Sequence, residues 1–241
     1  MKLVVIVGVL VFIGLLFGGF LASIMKIIFN KQTANLYLFA SGILIGIVVF
    51  MLVPEAMGHY NRLGLIIGIL GGVSFMLFLE TNVLKSVNSD QLRPRMILSS
   101  FFLIIGIVFH NLPVGLMVGM ELDSATWLLD GTLLGPFVIH QIPEGMALFV
   151  SFLAWTDTLS PFLITAFSLA FFMILFIAIG HFVMDFTFKT KSVCMGIAIG
   201  TLGYASIHGI HYRRGSFSTS YIHLLLGVLF ILIYTVLIKS H

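Results

Sequence analysis

From Leu3 to Ile24 no residue carries a charge, and comparable apolar runs recur along the whole chain. Run length is what most constrains the fold. A hydrocarbon core about 30 Å thick takes about 20 apolar residues of helix to cross, and in lipid every backbone N–H and C=O must be satisfied inside the element itself. On that ruler the sequence predicts eight helices, near 3–25, 36–58, 64–81, 96–120, 131–153, 161–184, 192–211 and 220–238. Only 9% of residues are charged, against about a quarter in soluble domains. Mean hydropathy is +1.18. The expected fold is an all-α integral membrane protein, one polytopic domain over 1–241, with three helices, a central pair and three more. Lys2 ahead of the first run imitates a signal peptide, but the run is longer than a signal core, so the helix is expected to be retained.

Lysine and arginine set the orientation, because short loops rich in them stay cytoplasmic. Connections after the odd-numbered helices hold Lys26, Lys31, Lys85, Arg93, Arg95, Arg213 and Arg214, while the other side holds Lys2, Arg62, Lys189, Lys191 and Lys239. This bias places both termini outside the cytoplasm and the turn with Glu121, Asp123 and Asp130 at the outer face, where acidic groups attract cations. The net charge of +3 is loop charge and implies no nucleic-acid partner. Cys194 is the one cysteine, which excludes an internal disulfide and a multi-thiolate zinc site.

Two related hexapeptides lie within the central pair: His110-Asn111-Leu112-Pro113-Val114-Gly115 and His140-Gln141-Ile142-Pro143-Glu144-Gly145. Imidazole, carboxamide and carboxylate are costly inside a bilayer and mark function there. His110 falls just past the midpoint of the fourth predicted helix and His140 just before that of the fifth, so in an antiparallel pair they share one depth. Glu144 follows His140 by one helical turn on the same face, where both can hold one ion. Asn111 and Gln141 add carbonyl oxygens. Pro113 and Pro143 have no N–H and release the carbonyls of Phe109 and Ile139, a device transporters use at mid-membrane. These donors suit zinc, ferrous iron, manganese or cobalt.

On these residues the chain resembles the ZIP family of zinc and iron permeases, whose fourth and fifth helices carry His-Asn-x-Pro-Glu-Gly and His-Asn/Glu-Ile-Pro-Glu-Gly types of motif. The resemblance implies transport of a divalent metal toward the cytosol, a bundle whose central helices hold the ion, and flanking triplets related as inverted repeats. Two departures qualify it. Val114 stands where the fourth-helix motif commonly has glutamate, and Ser168-Leu169-Ala170-Phe171-Phe172 contains no glutamate where the sixth helix commonly supplies one. The methionine some members supply from the second helix is also lacking, since Gly42-Ile43-Leu44 occupies that stretch. The expectation is a single-metal variant held by His110, Asn111, His140, Gln141 and Glu144.

The resemblance also implies route residues at the helix ends: Glu55 and His59 on the second helix, His208 and His211 on the seventh. Glu80, His181 and Asp185 are assigned to interfaces. The stretch from Asn82 to Arg95 contains no histidine, so no metal-sensing loop is expected there. Glycine-rich faces such as Gly64, Gly68, Gly71 and Gly72 are expected to let helices slide. Expected partners are the metal, as substrate rather than cofactor, and the bilayer, with a homodimer left open. Two other readings fit the same ligands, a metal-binding protein that senses without transporting and an intramembrane metalloenzyme. His-Glu-x-x-His is absent, and Glu144 leaves no second carboxylate as general base, so an enzyme is not expected.

Overall fold

The computed structural model describes residues 2–28, 33–84, 92–120, 134–153, 155–182, 187–211 and 221–239. It is all-helical, with no strand among the described residues. The helices are α1 (Lys2–Ile28), α2 (Thr33–Gly46), a π-helical segment (Ile47–Leu52) that leads into α3 (Val53–His59), α4 (Arg62–Leu84), α5 (Leu92–Met120), α6 (Leu134–Leu153), α7 (Ser160–Phe182), α8 (Phe188–His211) and α9 (Tyr221–Lys239). The π segment ends just before Pro54. Proline has no N–H for the carbonyl four residues back, and the wider winding is one way a helix absorbs that mismatch.

Among the described residues, five helical stretches are long and apolar enough to cross a membrane: Leu3–Ile27, Asn35–His59, Arg62–Asn82, Ile97–Met120 and Ser160–Phe182. The expected crossings at 131–153, 192–211 and 220–238 correspond to α6, α8 and α9, parts of which lie outside the described residues; the described apolar part of α9 is Tyr221–Leu237. From Gln141 to Phe152 nearly every residue of α6 is buried, and a helix shielded from lipid can carry polar side chains that an outer helix cannot. The outer helices show the opposite pattern, with Phe20, Phe78, Phe167 and Leu225 all at least 60% exposed, an apolar surface suited to lipid.

Helix α4 extends to Leu84 and α5 begins at Leu92, so the connection is shorter than the expected 82–95. Counting apolar residues stops at the first polar group, whereas a helix continues into the boundary, where Asn82 is exposed. The turn with Glu121, Asp123 and Asp130, and also Lys31, Lys85, Asp185, Arg213 and Arg214, lie outside the described residues.

Five helix pairs pack closely: α1 on α6, α2 on α9, α4 on α8, α5 on α7 and α5 on α8. The first four are built on facing glycines, namely Gly18 with Gly145, Gly42 with Gly227, Gly68 with Gly196, and Gly119 with Gly180. A Cβ on Gly18 would come within 2.8 Å of the Met146 nitrogen, and one on Gly68 within 2.8 Å of the Gly196 Cα. Without those Cβ atoms the backbones approach closely, and van der Waals contact replaces the hydrophobic drive that lipid does not supply. In three of the pairs residue numbers rise together across the contact: Gly64, Gly68 and Gly72 meet Ser192, Gly196 and Ile197; Gly115 and Gly119 meet Phe176 and Ile177; Gly42 and Gly46 meet Leu224 and Ile231. Those pairs are therefore parallel. Gly64, Gly68 and Gly72 face α8, whereas a Cβ on Gly71 would meet open space.

Candidate metal centre

Helices α5 and α6 run antiparallel, with Ser100 near Ser151 and His110 near His140. Both continue through their internal prolines, Pro113 and Pro143. Around this crossing the side chains are excluded from solvent: Glu144 is 0% exposed, His110 and Gln141 1% and Asn111 2%. His140 keeps 17% of its side chain exposed and is the accessible edge of the group.

His110, His140 and Glu144 form the one group of three potential metal ligands found among the described residues. The two Nε2 atoms are 3.1 Å apart, and Glu144 Oε1 lies 3.2 Å from His110 Nε2 and 3.6 Å from His140 Nε2. A point equidistant from all three atoms lies about 1.9 Å from each in their plane, so an ion slightly above that plane reaches the ~2.0–2.2 Å bond lengths of zinc to imidazole and carboxylate. The predicted shared depth of the two histidines is thus found as contact.

Hydrogen bonding within the protein does not satisfy this group. Neither Glu144 oxygen accepts a hydrogen bond, although Oε1 is within ion-pair distance of both imidazoles. The proximity is there and the donor alignment is not. His110 Nδ1 also has no partner. A buried carboxylate without donors is strongly unfavourable unless a cation or a proton meets it, so the donor set fits a divalent ion.

Asn111 and Gln141 meet each other one residue along the same crossing. Gln141 Nε2 donates to Asn111 Oδ1 at 3.5 Å, the outer limit of a hydrogen bond, and Asn111 Nδ2 and Gln141 Oε1 have no hydrogen-bond partner. Gln141 keeps an unused carbonyl oxygen, while that of Asn111 is engaged. Val114 is half-buried and adds no donor.

The expected route residues are more scattered. Glu55 and His59 are both exposed, and His59 Nδ1 lies 3.2 Å from the Glu55 backbone carbonyl of its own helix. His208 is buried and pairs with Glu80, Nε2 to Oε1 at 3.2 Å, with the Phe102 ring edge-on and Tyr204 stacked against it. Glu80, assigned from sequence to an interface, ties α4 to α8. The backbone of His211 ends α8, and its side chain lies outside the described residues. His181 is exposed in the last turn of α7.

Sequence reasoning missed a hydroxyl cluster near the start of α5. Tyr37 donates to Ser99 Oγ, Trp155 Nε1 to Ser100 Oγ at 3.0 Å, and Ser100 Oγ to the Ser151 carbonyl at 3.0 Å. The adjacent Ser99 and Ser100 in an otherwise apolar run were the available signal. Compared with known proteins, the chain matches no family model and no curated protein.

Proposed function

We propose that this protein transports a divalent transition metal, zinc foremost with iron or manganese as further substrates, across a membrane toward the cytoplasm through a single intramembrane site. The observation that carries the reading is the buried triad of His110, His140 and Glu144, at ligand-to-ligand distances that suit one ion, with a carboxylate no protein donor satisfies. Helices long and apolar enough to cross a membrane enclose it.

The proposal includes eight crossings in a ZIP-like 3+2+3 layout, with α2 to α3 as one crossing and both termini extracytoplasmic. Helix pairing supports this. If the chain crosses alternately, the glycine-built pairs join the first crossing with the fifth, second with eighth, third with seventh and fourth with sixth. Parallel contacts require an even separation, as these have. The pairing is unchanged when crossings one, two, three and four are exchanged with six, seven, eight and five, as inverted repeats require.

In this mechanism the ion arrives at the accessible edge of His140, is taken up by both imidazoles and Glu144, and has its charge partly offset by the carboxylate. Gln141 Oε1 is positioned on the same crossing as a further oxygen. Uptake of radiolabelled zinc into proteoliposomes, with manganese and iron as competitors, tests the reading. Saturable uptake by the wild type that Glu144→Ala loses supports it. Binding without uptake refutes transport and leaves a sensor.

A further inference from the structure

Arg62 opens α4, and Lys189 and Lys191 stand in the first turn of α8. The fold brings the three together. The backbone N–H of Asn61, just ahead of α4, donates to Ser192 Oγ at 2.9 Å, and a Cβ on Gly64 would lie 3.4 Å from the Lys189 carbonyl oxygen. Because α4 and α8 are parallel, their N-terminal ends coincide and the three cations gather at one end of the pair.

Electrostatics oppose this arrangement. Like charges repel, and a helix N-terminus carries a partial positive charge that favours anions over lysine or arginine. Two such termini lie together here, with no acidic residue in the first turn of either helix. Among the described residues no carboxylate pairs with Arg62, Lys189 or Lys191. Arg62 and Lys189 are exposed, while Lys191 is half-buried and shares a small pocket with Pro113 and Met117 of α5. On the proposed orientation the cluster faces outside the cytoplasm, the side that short loops usually keep poor in lysine and arginine. An anion from outside the chain would offset the concentrated charge.

Depth and surface indicate which anion. Arg62 is the first residue of Arg62–Asn82, a stretch long and apolar enough to cross a membrane, so the cluster stands at the level of lipid headgroups. From there Leu63, Ile66 and Leu70 form one stripe of α4, at 69%, 58% and 62% exposure. A free anion gains nothing from that apolar stripe. A phospholipid sets its phosphate at the boundary and an acyl chain along the stripe.

We propose that Arg62, Lys189 and Lys191 bind the phosphate of an anionic phospholipid, seated across the N-terminal ends of α4 and α8 with an acyl chain along Leu63, Ile66 and Leu70. The Arg62 guanidinium offers a planar fork suited to phosphate oxygens, and the two lysines add charge. The lipid site needs nothing from the metal centre.

The test uses the purified full chain in an uncharged detergent, titrated with phosphatidylglycerol, phosphatidylcholine or inorganic phosphate and read by native mass spectrometry. The wild type should retain phosphatidylglycerol in preference to phosphatidylcholine. Arg62→Gln, Lys189→Gln and Lys191→Gln together should weaken phosphatidylglycerol binding about a hundredfold, at roughly fivefold per charge removed. A control with Lys2→Gln, Lys26→Gln and Lys239→Gln loses the same net charge from other helix ends and should bind within about threefold of the wild type. Size-exclusion elution checks that both triple variants remain folded. Equal losses in the two triple variants would overturn the proposal in favour of general attraction between a basic surface and anionic lipid. Equal binding of phosphatidylcholine would overturn it by removing charge selectivity, and equal binding of inorganic phosphate by removing the role of the acyl chain.

Discussion

Glu144→Gln removes one charge while keeping side-chain volume, and its consequences differ with and without metal. Without metal, Glu144 is fully buried and neither oxygen accepts a hydrogen bond. A neutral carboxamide is cheaper to bury than an unpaired carboxylate, so the metal-free variant should be at least as stable as the wild type. With metal the sign reverses. Complete zinc sites are worth roughly 10–16 kcal/mol over four ligands, so the one anionic ligand contributes about 3–4 kcal/mol, a loss of roughly 10²–10³ in affinity. At free zinc 1,000-fold above the wild-type Kd, binding stabilises the wild type by about 4.1 kcal/mol, and the variant by only about 0.4–1.4 kcal/mol. Thermal unfolding of detergent-solubilised protein, scanned with and without zinc, measures both effects in one experiment. Two results would each refute the reasoning: a zinc-induced Tm shift in the variant equal to that of the wild type, or a metal-free variant that melts well below the wild type. The first places the ion elsewhere, and the second makes Glu144 a structural anion.

Elemental analysis of zinc-loaded protein should find one tightly bound ion per chain, lost in His110→Ala; two ions would overturn the single-metal reading. Gly68→Leu should abolish folding, because its side chain would be driven into the backbone of α8 near Gly196, and expression with size-exclusion chromatography checks this. Glu80→Ala should cost about 1–3 kcal/mol by leaving the imidazole of His208 without its carboxylate, yet leave zinc affinity unchanged in a binding titration. A peptide spanning 82–95 has no histidine and should bind zinc no better than millimolar by calorimetry.

Run length alone determined that the chain is all-helical with helices suited to a membrane, because lipid admits few other backbones and each apolar stretch declares itself locally. The cluster of His110, His140 and Glu144 was also legible: His140 and Glu144 stand one turn apart, and the repeated hexapeptide set His110 opposite them. Pairing is a relation between distant segments, and there the sequence was ambiguous. Gly64, Gly68, Gly71 and Gly72 look alike in one dimension, yet the fold packs three against α8 and leaves Gly71 facing open space. Glu80 and His208 were read as separate residues until α4 met α8. Helix α6 reads as an ordinary crossing, and only the fold shows that nearly all of it from Gln141 to Phe152 is buried. Ser99 carries no periodic signal, and only the convergence of four helices sets it beside Tyr37, Ser41 and Ser151. Local chemistry fixes what an element is, whereas the contacts it makes depend on side chains brought together across the whole chain.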